Sequence, residues 1–493
     1  MRCYSTRLDA LRNTPIEIGA PLSVEQPPPL SALPLRVTRR VKRDCVRVWK
    51  SLSEETTQPL DPPLTHSTDM AQVRASIVLQ PATHLETPRE KLRVVHVIGS
   101  LAAGGAERQL AYVARETQRR GKIEARILTT HPTVGAAAHY LPIAQEAAVT
   151  VEMAGASASE ESLAAFESAT TLHALLAPLP EVYRAWVVEL AGEFIRLKPD
   201  VVHAWLDHTN MWAGIAALAV GVPQVILSTR NVNPSHFPTI DSPEFLPWYR
   251  AFAQSPRVQF VGNSTVGARD YAAWIGIEPS RFTVIVNGFD PSVCVAPDSA
   301  SLRALREDLG LVGKRVILGV FRLAEEKQPL TFIDAAERIL RLHPDAIVLL
   351  AGEGPMRAEL EARIAGWNEG RLRLLGRRED VGALLSLADL LLHTSRQEGS
   401  PNALIEAQSL GCPVVATRGG GTVDAVEDGG SGYLCAVGDA ASLASRASAL
   451  LKDEDRRRKM SSRAREFAQE KFGLTRMVDE TLALYARRAS QAS

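Results

Sequence analysis

Two glutamates separated by seven residues bracket the stretch with the clearest chemical content, Glu398-Gly-Ser-Pro-Asn-Ala-Leu-Ile-Glu406. It follows an apolar run, Leu390-Leu-Leu-His393, with the composition of a parallel strand buried on both faces. Pro401 suits the first turn of a helix, where its missing N–H costs nothing. The turn Ser395–Ser400 is therefore expected at the C-terminal end of a strand and the N-terminal end of a helix. Such a place is electropositive and offers free backbone N–H groups to an anion. Carboxylates beside it are not suited to phosphate; they accept hydrogen bonds from hydroxyls, such as those of a ribose or a hexose. An ordinary strand–turn–helix with surface glutamates is the plainer reading of the same residues.

Cations lie upstream. Arg322 and Lys327 follow the apolar run Val316–Phe321 in FRLAEEK. A guanidinium fork and an ammonium point charge together suit a diphosphate, although beside Glu325 and Glu326 they also fit a solvated loop. Gly104-Gly105 follows the first apolar run and precedes a helical pattern from Ala106, so the chain there can pass close to a ligand. Neither a GxGxxG fingerprint nor a Walker A sequence occurs. His203 lies in DVVHAWLDH, where a lone histidine on an apolar strand is more often a core residue; Asp207 and His208 follow it. The loop from Arg230 to His236 has the composition of an acceptor-binding loop without indicating a role. Asp453-Glu-Asp455 sits in a charged helical run and reads as a solvated face, so no metal site is expected.

The pattern within EGSPNALIEAQSLGCPVVAT resembles the signature of the retaining nucleotide-sugar glycosyltransferases of the large group 1 family (glycosyltransferase family 4). The similarity extends with gaps over about residues 92 to 488 and is more specific in the C-terminal half. It implies the GT-B fold and a metal-independent reaction with no cofactor beyond a UDP- or GDP-linked sugar donor. By this resemblance Arg322 and Lys327 hold the leaving diphosphate, Glu406 the ribose and Glu398 the donor sugar. Gly399 and Ser400 supply backbone contacts, Arg377 lies near the base, and Gly104, Gly105 and His203 close the cleft from the other side. Retention implies attack from the face of the leaving group, with a donor phosphate oxygen as base. Family members often build bacterial cell-surface polysaccharide, which implies a glycan or lipid-linked acceptor at the cytoplasmic face of the membrane. The chain departs from the pattern at Phe321, where the family often has glycine. A sugar-nucleotide epimerase of the same fold, or a non-catalytic nucleotide-binding scaffold, shares these residues. Product stereochemistry and an acceptor requirement separate the epimerase; turnover separates the scaffold.

Those residues need two α/β domains to position them. With 493 residues there is room for two or three cores. Apolar runs alternating with amphipathic helices predict two Rossmann-like domains facing a central cleft, at 92–290 and 302–472, and a helix at 473–493 that crosses back to the first. Lysine plus arginine (56) equals aspartate plus glutamate (56), so no basic field points to nucleic acid. Five scattered cysteines without metal-ligand spacing read as reduced thiols of a cytoplasmic protein. Residues 1–91, rich in Pro, Ser, Thr and Arg, read as a disordered extension. Within it Val37, Val41, Cys45, Val48 and Leu52 recur at helical spacing among basic residues, a helix that could rest on an anionic membrane surface. The competing account starts the native chain at Met70.

Overall fold

In the computed structural model the described residues are 67–82, 90–155, 170–291, 297–366 and 370–487. The central strands are largely apolar because helices cover both of their faces. Ala346–Ala351, AIVLLA, is buried at every position. Seven such strands form a parallel sheet: β1 (Leu92–Ile98), β2 (Ile123–Thr129), β3 (Thr150–Met153), β4 (Val201–Trp205), β5 (Gln224–Thr229), β6 (Val258–Gly262) and β7 (Phe282–Val284), in the order 3-2-1-4-5-6-7. Six more form a second: β8 (Arg315–Val320), β9 (Ala346–Ala351), β10 (Leu372–Gly376), β11 (Leu390–His393), β12 (Val414–Thr417) and β13 (Gly432–Cys435), in the order 10-9-8-11-12-13. Both are doubly wound, and together they make the GT-B architecture that the alternation of strands and helices predicts.

This topology dictates where a ligand can sit. Strand order reverses between β1 and β4 in one sheet and between β8 and β11 in the other, and crevices open at the carboxyl ends of such strands. The loops after these four strands carry Gly104-Gly105, Leu206, Arg322 and Glu398.

The two domains are tied by the segment after β7 and by the end of the chain. Gln109, buried on the helix Gly105–Arg119, clasps Gly288 through both main-chain groups, accepting from its N–H (2.8 Å) and donating to its carbonyl (2.9 Å). Arg115 on the same helix donates to Asp290 at 2.5 Å in a buried pair. The helix Glu454–Phe472 ends at Gly473, and Phe289 N–H donates to the Phe472 carbonyl (2.7 Å). The final helix, Leu474–Ala486, then buries Met477, Leu484 and Tyr485 in the core of the first domain.

One segment departs from expectation. Residues 67–78, read from sequence as part of a disordered extension, form a helix whose Ile77 and Val78 are buried in the first domain's core, with Met70 and Val73 packed against it. These apolar residues recur at spacings of three and four and drop onto the helices Asp207–Ala219 and Phe245–Phe252. The neighbouring Ser, Thr and Pro residues mask that short period in the sequence. The basic segment 37–52 lies outside the described residues. Among the described residues no helix is long and apolar enough to cross a membrane.

The role of the last helix is testable. Leu484 is fully buried, so Leu484→Ala is expected to destabilise the first domain by about 2–5 kcal/mol, the cost of emptying a packed leucine site. An unchanged first-domain transition in urea would show that this helix only lies against the domain.

Candidate active site

Burying a carboxylate is costly unless charge and hydrogen bonds compensate it, and Glu398 is buried with both. Its Oε1 accepts from Lys327 Nζ (2.6 Å), Ser395 Oγ (2.6 Å) and His393 Nε2 (3.0 Å). Burial works against ionisation, but the Lys327 charge and the His393 bond outweigh it and hold the carboxyl well below the usual range. All three bonds converge on Oε1. The loop that brings Lys327 is itself bonded to the end of β11. Thr394 Oγ1 donates to the Lys327 carbonyl (2.9 Å), and Arg396 N–H donates to the Glu326 carbonyl (2.8 Å).

These residues floor a cleft of about 540 Å³ between the domains. From the second domain it is lined by Phe321, Arg322, Lys327, His393 and the loop Glu398–Ala403. From the first come Gly105, Glu107, Leu206, Arg230, Asn231 and Asn263, with Asn287 between. Arg322 is two-thirds exposed and reaches back to Glu326 at 2.6 Å. Phe321 packs edge-on against Phe332 and His393, so the ring that replaces the family's glycine is built into the second core while bordering the cleft.

The domains meet closely here. A methyl group on Gly399 would run into the Arg230 carbonyl, so only glycine lets the two backbones approach. Gly105 faces Asn402 across the seam, where an added Cβ would lie 2.8 Å from the amide nitrogen. Asp424 of the second domain accepts from the N–H groups of Thr265 (2.6 Å) and Val266 (3.2 Å), placing a carboxylate at the positive end of the first-domain helix Thr265–Ile275.

The remaining expected residues fall in different places. Ser400 and Gly399 line the cleft, and the helix behind them starts at Asn402 with Pro401 as its cap. Glu406, buried, does not line the cleft: its Oε1 accepts from Arg108 Nη2 of the first domain at 2.6 Å. Burial lowers and Glu406 raises the Arg108 pKa, with a net rise that keeps the guanidinium charged. Gly104 caps the helix Gly105–Arg119, and the carboxylate of Glu107 folds back over it, taking up the helix end expected to face a ligand. Burial raises the Glu107 carboxyl, opposed by a bond to its own N–H and by Arg230. Arg377 is exposed on the loop after β10 and does not border the cleft.

His203, expected to contact the donor, does not line the cleft in this structure. It is buried on β4, accepts or donates through Nδ1 to Tyr485 Oη (2.9 Å) on the last helix, and stacks on Trp205 at 4.5 Å. Burial holds it neutral, far below the usual histidine range. Strand alternation puts residues 203 and 205 on one face; Trp205 in turn carries the Arg230 guanidinium at 4.9 Å. His203 therefore supports the cleft through one intervening ring, Trp205, and the Arg230 guanidinium that lies on it. Asp207 is likewise structural, accepting from Tyr249 (2.7 Å) and Tyr271 (2.8 Å). Asp453 caps the helix Glu454–Phe472 through the Arg456 N–H (2.9 Å). Sequence reasoning missed Arg108 and Asp424. Each is an ordinary helix-terminal charge in sequence, and its partner is supplied by the other domain.

With this geometry in view, comparison with known proteins gives a consistent result. Residues 103–293 match the model of Glycosyltransferase Family 4, and residues 303–467 that of Glycosyl transferases group 1. The Vi polysaccharide biosynthesis protein VipC/TviE of Salmonella typhi is 32% identical over 360 residues, 69% of this chain and 62% of that protein. N-acetyl-alpha-D-glucosaminyl L-malate synthase of Bacillus anthracis is 32% identical over 42% of this chain and 55% of its own length. The chain thus spans less than two thirds of either of these relatives. D-inositol 3-phosphate glycosyltransferase of Nocardia farcinica is 30% identical over 74% of this chain and 81% of its own. Among solved structures, Anabaena Alr3699/HepE in complex with UDP and glucose superposes with a TM-score of 0.64 at 22% identity, covering 80% of this chain and 99% of that one.

Two variants test these placements. Glu398 is ionised in the fold and depressed below its unfolded value, so its contribution to stability is present at neutral pH and lost as pH falls through the carboxylate range. Glu398→Gln is therefore expected to lower the melting temperature most near pH 7, with the gap to wild type narrowing on acidification below the ordinary glutamate value of 4.5. A constant gap from pH 7 to pH 3 would contradict the charged pairing. His203→Ala is expected to lower the melting temperature while nucleotide affinity, read by calorimetry, falls by less than about threefold; a selective loss of affinity would restore it to the ligand site.

Proposed function

Because the chain belongs to the group 1 glycosyltransferase family, we propose that it transfers a sugar from a nucleotide-diphosphate sugar, with retention and without a metal, to a glycan or lipid-linked acceptor. The observation that carries this reading is the grouping of Arg322, Lys327 and Glu398 around one interdomain cleft, beside the helix that begins at Asn402. Cleaving the bond from the sugar C1 to phosphate leaves negative charge on the diphosphate, and fixed cations lower the barrier by meeting it in place. Lys327 keeps two N–H donors beyond its bond to Glu398, and Arg322, loosely paired with Glu326, has a fork free to turn inward. Glu398 Oε2 accepts a donor hydroxyl, and its three-bonded Oε1 keeps it ionised and in register. The acceptor hydroxyl attacks C1 from the leaving-group side, and its proton passes to a phosphate oxygen of the donor. No carboxylate nucleophile is needed on the opposite face.

In this reading Glu406 receives the ribose hydroxyls while Arg108 fixes its second oxygen, which links donor binding to closure of the two domains about the segment following β7. Arg377 would meet the base only after such a movement. The chemistry of the relatives supports a saccharide product destined for a cell-surface glycan: one is named for Vi polysaccharide biosynthesis, and an Escherichia coli relative (27% identical) for transfer of galactose to a diphosphoundecaprenol-linked sugar. Their acceptors motivate the proposal that this chain works at the inner face of the plasma membrane.

Calorimetric titration of UDP and GDP, with chelator present, is the direct test. One nucleotide is expected to bind wild type and to bind Arg322→Ala/Lys327→Ala at least about 30-fold more weakly, the loss of two charge-assisted contacts. Glu406→Ala and Arg108→Ala are each expected to weaken it about tenfold. Well-folded wild type that binds neither nucleotide would sink the donor site. The anomeric configuration of the product, read by NMR once a donor is known, decides retention.

A further inference from the structure

Among the described residues three cations, Arg230, Arg322 and Lys327, line the cleft, and two of them have a carboxylate partner: Arg322 with Glu326 and Lys327 with Glu398. Arg230 differs. Its guanidinium lies over Trp205 at 4.9 Å, donates through Nη2 to the amide oxygen of Asn287 at 2.5 Å, and has a buried Nε with no partner. The carboxylate that acts on it at a distance, Glu107, bends back to its own helix end instead. Burial pulls its pKa down to about 9, which leaves it cationic at neutral pH. Arg230 is half-buried with its Nε fully enclosed, and a cation so desolvated without a contacting counter-ion among the described residues is costly and is normally paired. If the position served packing alone, a neutral amide could satisfy Asn287 without that cost.

The backbone that carries this guanidinium is fixed as well. The Arg230 main-chain carbonyl accepts from Asn263 Nδ2 (3.0 Å) and abuts Gly399 of the second domain. Asn287, which holds its Nη2, donates in turn to Asn402 Oδ1 (2.9 Å) and the Ser400 carbonyl (3.2 Å) at the mouth of the helix. A planar fork fixed in this way, across the cleft from Lys327 and Arg322, is built for bidentate recognition of an oxyanion.

We propose that Arg230 is a phosphate-binding residue of the first domain, its missing counter-ion being a phosphate group brought into the cleft by a substrate. Two sources share that chemistry: the diphosphate of the donor, which would then be held from both domains, and a phosphate carried by the acceptor. The donor source rests on the nucleotide-sugar reading above; the acceptor source does not require it.

The test uses full-length wild type, Arg230→Gln and Arg230→Lys, checked for folding by circular dichroism and melting temperature. UDP and GDP are titrated first, and inorganic phosphate is then titrated into both free and nucleotide-saturated protein. If the donor supplies the group, nucleotide affinity falls at least tenfold in Arg230→Gln and severalfold in Arg230→Lys. If the acceptor supplies it, nucleotide affinity is unchanged, while phosphate binds nucleotide-saturated wild type and is lost in Arg230→Gln. A folded Arg230→Gln protein that binds both nucleotide and phosphate as wild type does overturns the proposal. Wild type that binds no nucleotide sinks the donor reading alone, and phosphate binding to the free protein, lost or kept in Arg230→Gln, then decides the role of Arg230. Should the glutamine variant not fold, the lysine variant decides: a severalfold loss supports the assignment and an unchanged affinity overturns it.

Discussion

Keeping an ionised carboxylate buried where two domains meet constrains most of what surrounds it. Glu398 can stay charged there only because Lys327, Ser395 and His393 all reach the same oxygen. That requirement fixes the loop after β8 against the end of β11, through Thr394 and Arg396 as well as the lysine itself. The same loops sit at the topological switch of the second sheet, where a crevice opens in any case. Charge compensation and topology thus bring Arg322, Lys327 and Glu398 to one cleft.

The domains are joined by polar contacts rather than by a shared apolar core. Arg108 meets Glu406, Asp424 caps a helix of the other domain, and Asn287 links Arg230 to the loop at Ser400 and Asn402. Apolar cohesion is confined to the segment after β7 and to the last helix, whose Met477, Leu484 and Tyr485 enter the first domain. Contacts of this kind can separate without exposing much apolar surface, which suits a cleft that opens and closes, as the proposed transfer requires. Gly399, against the Arg230 carbonyl, sets how closely the two halves approach.

A histidine at the end of an apolar strand looks alike in sequence whether it faces a ligand or a core. On β4 the two-residue alternation places His203 and Trp205 on one face, and the last helix covers His203 with Tyr485. What decides the matter is a residue 282 positions away in the chain. The same holds for Glu406, whose partner Arg108 comes from the other domain, and for Gly104, whose neighbour Glu107 occupies the helix end. Residues 67–78 show the reverse case, where a short apolar period, hidden among Ser, Thr and Pro, acquires structure only because a finished domain offers it a surface.

The sequence alone determined the fold class, the strands to within a few residues and the family, since buried parallel strands must be apolar and their loops must carry the polar chemistry. That Arg322, Lys327 and Glu398 come to one cleft was legible for the same reason: they flank two strands whose ends have to be neighbours. Which charges are compensated and which are left for a ligand was decided only in the tertiary structure. Pairing across domains is set by distance in space, and no local pattern around Arg108, Asp424 or Arg230 encodes it. Arg230 stands out only once its ring support, its amide partner and the absence of a contacting carboxylate are seen together.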